Sequence, residues 1–173
     1  MTRRWMWLLA GILLALGSVT HLVYAQTPLP CDETQARQAL DTLLRQGTLT
    51  IHATEEQVNG CLQKHMSRIR SQTGLRSVAV DFREGYVRLR VSRGWPTLTV
   101  ELEPQITDGQ LYVRLRGVRM GFFPLPAGMF QKYVDRINAQ LQRAYAHEPL
   151  ARVTVQSLTI HDDALTVTLA LRK

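Results

Sequence analysis

Four successive runs between Val78 and Leu115 carry an apolar residue at every second position. They are Val78, Val80 and Phe82; Val87, Leu89 and Val91; Leu98, Val100 and Leu102; and Leu111, Val113 and Leu115. A period of two places these side chains on one face of extended strands and their neighbours on the other. Glu84-Gly85, Arg93-Gly94-Trp95-Pro96 and the strong hairpin pair Asp108-Gly109 separate the runs. The block is therefore an antiparallel meander with one apolar face, and the rest of the chain must cover that face.

The opposite face explains much of the charge. Tight turns set Asp81 against Arg88 and Glu103 against Arg114. The longer loop sets Arg88 against Glu101, which extends the row to Arg116 and gives Asp81–Arg88–Glu101–Arg116 in alternating sign. Opposite charges on neighbouring strands contribute about 0.2–1 kcal/mol per pair. Arg88/Arg90 and Arg114/Arg116 thus read as a solvated sheet face rather than an anion site. After Gly117 the alternation slips by one, to Val118 and Met120, as at a bulge or bend.

Helical spacing governs three other segments. Asp32 caps a helix starting at Glu33, with Ala36, Ala39, Leu40, Leu43 and Leu44 on one face and Gly47 as the stop. A short strand, Thr48 to His52, follows. Thr54 and Gln57 form a capping box for a second helix bearing Val58, Cys61, Leu62, His65, Met66 and Ile69, ending near Gly74. Pro126 suits the first position of a long third helix, with Phe130, Tyr133, Val134, Ile137, Leu141, Ala144 and Tyr145 on one face. Lys132, Asp135, Arg136, Gln142 and Arg143 occupy its other face, and Pro149 closes it. A last hairpin runs through Val153 and Val155, slips at Gln156-Ser157, continues to Ile160, turns at Asp162-Asp163 and ends at Leu171. No internal repeat is visible. The fold class is α+β: an antiparallel sheet of meander plus C-terminal hairpin, packed on one long amphipathic helix, with two N-terminal helices.

The N-terminus sets the expected compartment. Arg3 and Arg4 precede the uncharged run WMWLLAGILLALG, and Val23-Tyr24-Ala25 resembles a cleavage site. Residues 1–25 are a signal peptide, or an uncleaved anchor, since Trp5 to Ala25 nearly supplies the roughly 20 residues a membrane helix needs. Residues 26–173 then form one exported domain. Two of the 21 basic and none of the 14 acidic residues lie in the leader, so the remainder carries +5 (19 − 14). That balance is no nucleic-acid signature, and it suits mild attraction to anionic headgroups. Pro28-Leu29-Pro30 ahead of Cys31 is a poor lipoprotein signal. Two cysteines in an exported domain pair, which predicts a Cys31–Cys61 disulfide. The rival is a metal site at Cys61 and His65, one helical turn apart, but two ligands do not make a zinc centre. No metal or cofactor is expected.

Catalytic motifs are not in evidence: G-x-S-x-G, the P-loop, G-x-G-x-x-G and H-E-x-x-H are all missing from the sequence. His52, His65, His147 and His161 are scattered, and His161-Asp162-Asp163 reads as a polar hairpin tip. No catalytic residue is assigned.

One stretch remains, GFFPLPAGMFQKY, Gly121 to Tyr133. Its aromatics could staple the helix start to the sheet, line the mouth of an apolar cavity, or dip into a membrane interface with Trp95. Ile51-His52-Ala53-Thr54-Glu55-Glu56-Gln57-Val58-Asn59, the strand block, Phe122-Phe123-Pro124-Leu125-Pro126 before a long helix, and Val153-Thr154-Val155 through Ile160-His161-Asp162-Asp163-Ala164-Leu165 form an ordered pattern. This pattern resembles small exported or membrane-anchored proteins of the YpmS-like and LmeA-like kind. The resemblance implies a TULIP-like fold, a long helix wrapped by a curved antiparallel sheet around a lipid-accommodating space. The expected function is extracytoplasmic binding of a lipid or other apolar ligand, with Phe122, Phe123, Leu125, Met129, Phe130 and Tyr133 as one wall and the mouth of the site. A membrane surface is the further partner. The alternatives are an assembly factor that binds another envelope protein and, from the LmeA-like similarity alone, a lipid hydrolase.

Overall fold

The computed structural model describes residues 27–28, 30–146 and 150–172. The leader segment, His147 and Pro149 lie outside these residues, and the side chain of Ile69 lies outside those described. Three α-helices and nine strands run through the described residues. The helices are α1 (Glu33–Gln46), α2 (Glu55–Thr73) and α3 (Gly128–Tyr145). The strands are β1 (Thr27–Pro28), β2 (Thr48–Thr54), β3 (Ser77–Arg83), β4 (Tyr86–Ser92), β5 (Leu98–Thr107), β6 (Gln110–Met120), β7 (Phe123–Leu125), β8 (Val153–His161) and β9 (Ala164–Leu171).

Local signals act as the sequence predicts at both N-terminal helices. The Asp32 carboxylate accepts from the Gln35 N–H (2.8 Å), and Gly47 ends α1 in the left-handed region, donating to the Leu43 carbonyl. At α2 the capping box closes both ways. Thr54 N–H donates to Gln57 Oε1 (3.0 Å) and Gln57 N–H to Thr54 Oγ1 (3.2 Å). Helix α3 starts at Gly128, two residues after the proline proposed to open it. Pro126 instead lies in a preceding turn, where its carbonyl accepts from the Met129 N–H (3.1 Å).

The chain is α+β, but its strands form two sheets in place of one. The meander is present as β3-β4-β5-β6 and is extended by β7; the second sheet has the order β1-β2-β9-β8. The C-terminal hairpin thus joins β2, not the meander. Strand β2 can accept it because Leu49, Ile51 and Ala53 alternate as a fully buried face along a seven-residue ladder with β9. The slip at Gln156 is a bulge in β8 opposite β9, and the slip near Gly117 is a bulge in β6 opposite Glu101 and Leu102.

The two sheets meet end to side. Gly85 N–H, in the β3–β4 turn, donates to the Ile160 carbonyl (3.2 Å), and Val155 N–H donates to the Gly109 carbonyl in the β5–β6 turn (2.7 Å). Strand β8 therefore lies across the strand ends of the larger sheet. Gly109 is required twice over: its φ is +73°, and a Cβ there would sit 3.2 Å from Thr154 Cβ. The core gathers at this junction. Phe82, Leu43, Ile51 and Leu165 are its largest fully buried side chains, joined by Ala39, Val58, Leu62, Val80, Val87 and Leu111. Helices α1 and α2 pack against it, and α3, which at 18 residues is not the single long helix expected beside the 19-residue α2, contributes only partly buried Tyr145. Burial raises the Tyr145 pKa against the opposing pull of the Leu111 N–H, which its hydroxyl accepts at 3.4 Å.

Helices α2 and α3 each grip the larger sheet through one asparagine, α2 at its edge strand β3 and α3 at the stretch of β6 that β7 leaves unpaired. Asn59 Nδ2 donates to the Val80 carbonyl (2.8 Å) and Val80 N–H donates to Asn59 Oδ1 (2.8 Å). Asn138 repeats this on β6: Nδ2 to the Val113 carbonyl (2.8 Å), and Val113 N–H to Oδ1 (2.8 Å). Each amide supplies both hydrogen bonds that a missing neighbour strand would have made. Val58-Asn59-Gly60-Cys61-Leu62 and Ile137-Asn138-Ala139-Gln140-Leu141 share a short apolar-Asn-x-x-Leu pattern.

On the polar face the expected pairing holds for Asp81 with Arg88, Arg88 with Glu101 and Glu103 with Arg114. The β6 bulge alters the end of the row. Gly117, not Arg116, stands opposite Glu101, which pairs with Arg88 (3.1 Å) and Arg119. Arg116 lies over the Tyr86 ring (4.4 Å), and Asp81 bonds diagonally to Arg90 (2.8 Å). Gln142, assigned to the solvated face of α3, is half-buried, and its Nε2 has no hydrogen-bond partner.

Cys31 and Cys61 form a disulfide, with Cα atoms 5.3 Å apart, and His65 Nε2–H donates to the Cys31 carbonyl (3.0 Å). Such a bridge suits an oxidising, extracytoplasmic compartment. Replacing both cysteines by serine should lower stability by about 3–4 kcal/mol. A loss below about 1 kcal/mol in urea unfolding would show that the bridge constrains little. Asn138→Ala strands two backbone groups on β6 and should cost about 1–3 kcal/mol. The same measurement would contradict the clamp if Asn138→Ala matched an exposed substitution such as Gln131→Ala.

Candidate functional site

The geometry of a meander sends alternate turns to opposite ends. The turns at Gly85 and Gly109 are hydrogen-bonded to β8, so the β4–β5 loop and the β6–β7 turn lie at the far end. Ten residues of β5 separate the two ends by about 30 Å. Helix α3 spans the same distance in reverse, from Gly128 at the far end to Tyr145 at the core.

Three local features assemble this far end. Ser92 Oγ donates to the Gly94 carbonyl (2.6 Å) and accepts from the Gly94 N–H (3.1 Å), which closes the turn that presents Trp95. Gly121 N–H donates to the Thr97 carbonyl (2.8 Å) and ties the second turn to the first. Cross-strand register then places Leu98, Met120 and Phe123 side by side on three neighbouring strands.

The apolar groups gathered there face water. Phe122 is 95% exposed, Trp95 91%, Phe123 76% and Met129 63%, with Tyr133 and Met120 also exposed. Of the six residues expected at an apolar site, Leu125 and Phe130 are half-buried and the other four are exposed. Phe122 and Phe123 do not staple the helix to the sheet. Phe130 and Tyr133 hold a tilted ring contact, with centroids 6.3 Å apart. Met120 was not anticipated here; its pairing with Leu98 is the signal that could have found it.

Behind the tip, cover over the apolar face is uneven. Val80, Phe82, Val87, Leu111 and Val113 near the core are buried, and so is Val118 on β6 towards the tip, whereas Leu89, Val91, Leu98, Val100, Leu102 and Leu115 are only half-buried. The helices account for this. Asn59 and Asn138 fix α2 and α3 at β3 and β6, so the central strands β4 and β5 carry less cover. A half-covered apolar lane thus runs from the core end to the exposed aromatics.

Among the described residues, no group of three or more histidine, cysteine, aspartate or glutamate side chains could hold a metal ion. No helix among the described residues is long and apolar enough to cross a membrane. Comparison with known protein families, curated proteins and solved structures finds no match.

The exposure decides the energetics of the tip. Phe122→Ala should change stability by less than about 0.5 kcal/mol, whereas Phe82→Ala in the filled core should cost about 3–5 kcal/mol. Urea unfolding of the two variants tests the contrast. A multi-kilocalorie loss for Phe122→Ala would mean that its ring is packed in solution.

Proposed function

We propose that the chain binds lipid, or another apolar molecule, at a membrane of the cell envelope, without catalysis. The exposed aromatic tip carries this reading. A soluble domain gains nothing from holding Trp95, Phe122 and Phe123 in water, and each such side chain gains about 1.5–3 kcal/mol when removed from it. Aromatic rings favour the membrane–water interface, so a membrane is a surface that would collect that energy. The sheet's half-covered lane begins at the same place and offers an acyl chain a path of Leu98, Val100, Leu89 and Leu102. In this reading the five-stranded sheet and α3 act as a TULIP-like unit, a helix along a curved sheet with a lipid-accommodating trough beside it.

The disulfide supports the extracytoplasmic setting, and export through the N-terminal segment belongs to the same proposal. The wild-type chain should bind a fluorescent fatty-acid probe. Phe123→Ala and Leu98→Ala should each weaken uptake several-fold while unfolding within about 1–2 kcal/mol of the wild type. Absence of probe binding in the folded wild type would remove the acyl-chain lane from the proposal.

A further inference from the structure

Charge is distributed unevenly between the two ends of the molecule. Around the tip, residues 92–99 and 119–136 hold four cations, Arg93, Arg119, Lys132 and Arg136, and one carboxylate, Asp135. Arg119 is committed to Glu101, and Asp135 accepts from Gln131 Nε2 (2.9 Å). The core end is balanced: Glu84, Asp108, Asp162 and Asp163 in its turns stand among Arg83, Arg143, Arg152 and Arg172.

The first turns of α3 repeat the theme. Met129, Lys132, Tyr133 and Arg136 follow the i, i+3, i+4, i+7 spacing of a single helical stripe, and all four are exposed. The Lys132 ammonium lies over the Tyr133 ring, 5.5 Å from its centroid. Asp135 falls off this stripe, beside Gln131. An exposed stripe that alternates apolar bodies with cations is the composition of helices that lie in a bilayer interface. A purely apolar partner would leave Lys132 and Arg136 without a counter-charge, whereas an anionic headgroup layer supplies one directly beside the buried rings.

We infer that the partner of this tip is an anionic bilayer surface, into which Trp95, Phe122, Phe123 and Met129 insert while Lys132 and Arg136 engage the headgroup phosphates. This rests on the membrane reading above and adds its selectivity. The tip's excess of cations over its single carboxylate draws it, rather than the balanced core end, to a negative surface.

The test uses the full chain with Trp5 and Trp7 replaced by phenylalanine, which leaves Trp95 as the sole one of three indoles. Its emission then reports on the tip even if the N-terminal segment itself binds lipid. Vesicles of equal phosphatidylglycerol and phosphatidylcholine should shift Trp95 emission to the blue, and pure phosphatidylcholine vesicles should do so much more weakly. Each cation near an anionic surface is worth about fivefold in affinity. Lys132→Gln with Arg136→Gln should therefore weaken the anionic response by about twentyfold, with unchanged circular dichroism, and high salt should reproduce the loss. Equal shifts with both vesicle types, or indifference to the double substitution, would overturn the anionic preference and leave membrane binding standing. No shift with either vesicle type would overturn both and leave the tip as a protein-binding face.

Discussion

The rest of the structure depends on the junction where two hairpin turns of the larger sheet butt against the outer edge of β8. Gly85 and Gly109 each exchange a backbone hydrogen bond with that strand, and Gly109 fits against Thr154 only because it lacks a side chain. Phe82, Ile51 and Leu165 fill the corner behind these bonds. Helices α1 and α2, the disulfide and the smaller sheet all converge there. Apolar cover is therefore concentrated at one end, and a sheet about 30 Å long projects from it with the apolar centres of β4 and β5 half-covered, while Val118 on β6 and Val134 on α3 stay buried.

How that projecting sheet is finished sets what it can do. Its edges are dangerous, because unpaired strand edges recruit other chains. Asn59 and Asn138 answer the problem with side-chain amides, and in doing so they hold α2 and α3 at the edges and away from the middle. The same device that protects the edges leaves Leu98, Val100 and Leu89 half-covered and the tip bare. Stability and the proposed lipid contact thus arise from one arrangement: a filled corner for folding, and a thin apolar arm for binding.

Particular residues show how far the chain could be read without coordinates. The pairing of Arg88 with Asp81 was legible because a two-residue turn fixes it, its pairing with Glu101 followed from apolar alternation carried across the longer loop, and the row failed at Arg116 because a bulge adds one residue that no periodicity announces. The Asp32 and Thr54 caps and the Gly47 stop were legible because each is completed within four residues. The position of β2 was not. Its alternation of Leu49, Ile51 and Ala53 is as plain as any, but nothing nearby shows that β9, more than a hundred residues on, is its partner. At the candidate site the aromatics of Gly121–Tyr133 stood out by composition, while Met120 and the half-covered strand centres did not, since their exposure depends on where two helices come to rest.

The sequence by itself therefore determined what is local: strand phase, turns, caps, the sign pattern on the polar face and which two cysteines could pair. Those features are settled by hydrogen bonds and side-chain periods within a few residues. Only the tertiary structure decided which apolar surfaces are covered. Cover is a competition among all elements for the same limited apolar area, and here β8, α1 and α2 close over Phe82 while Phe122, in a turn at the far end of the same sheet, is left in water.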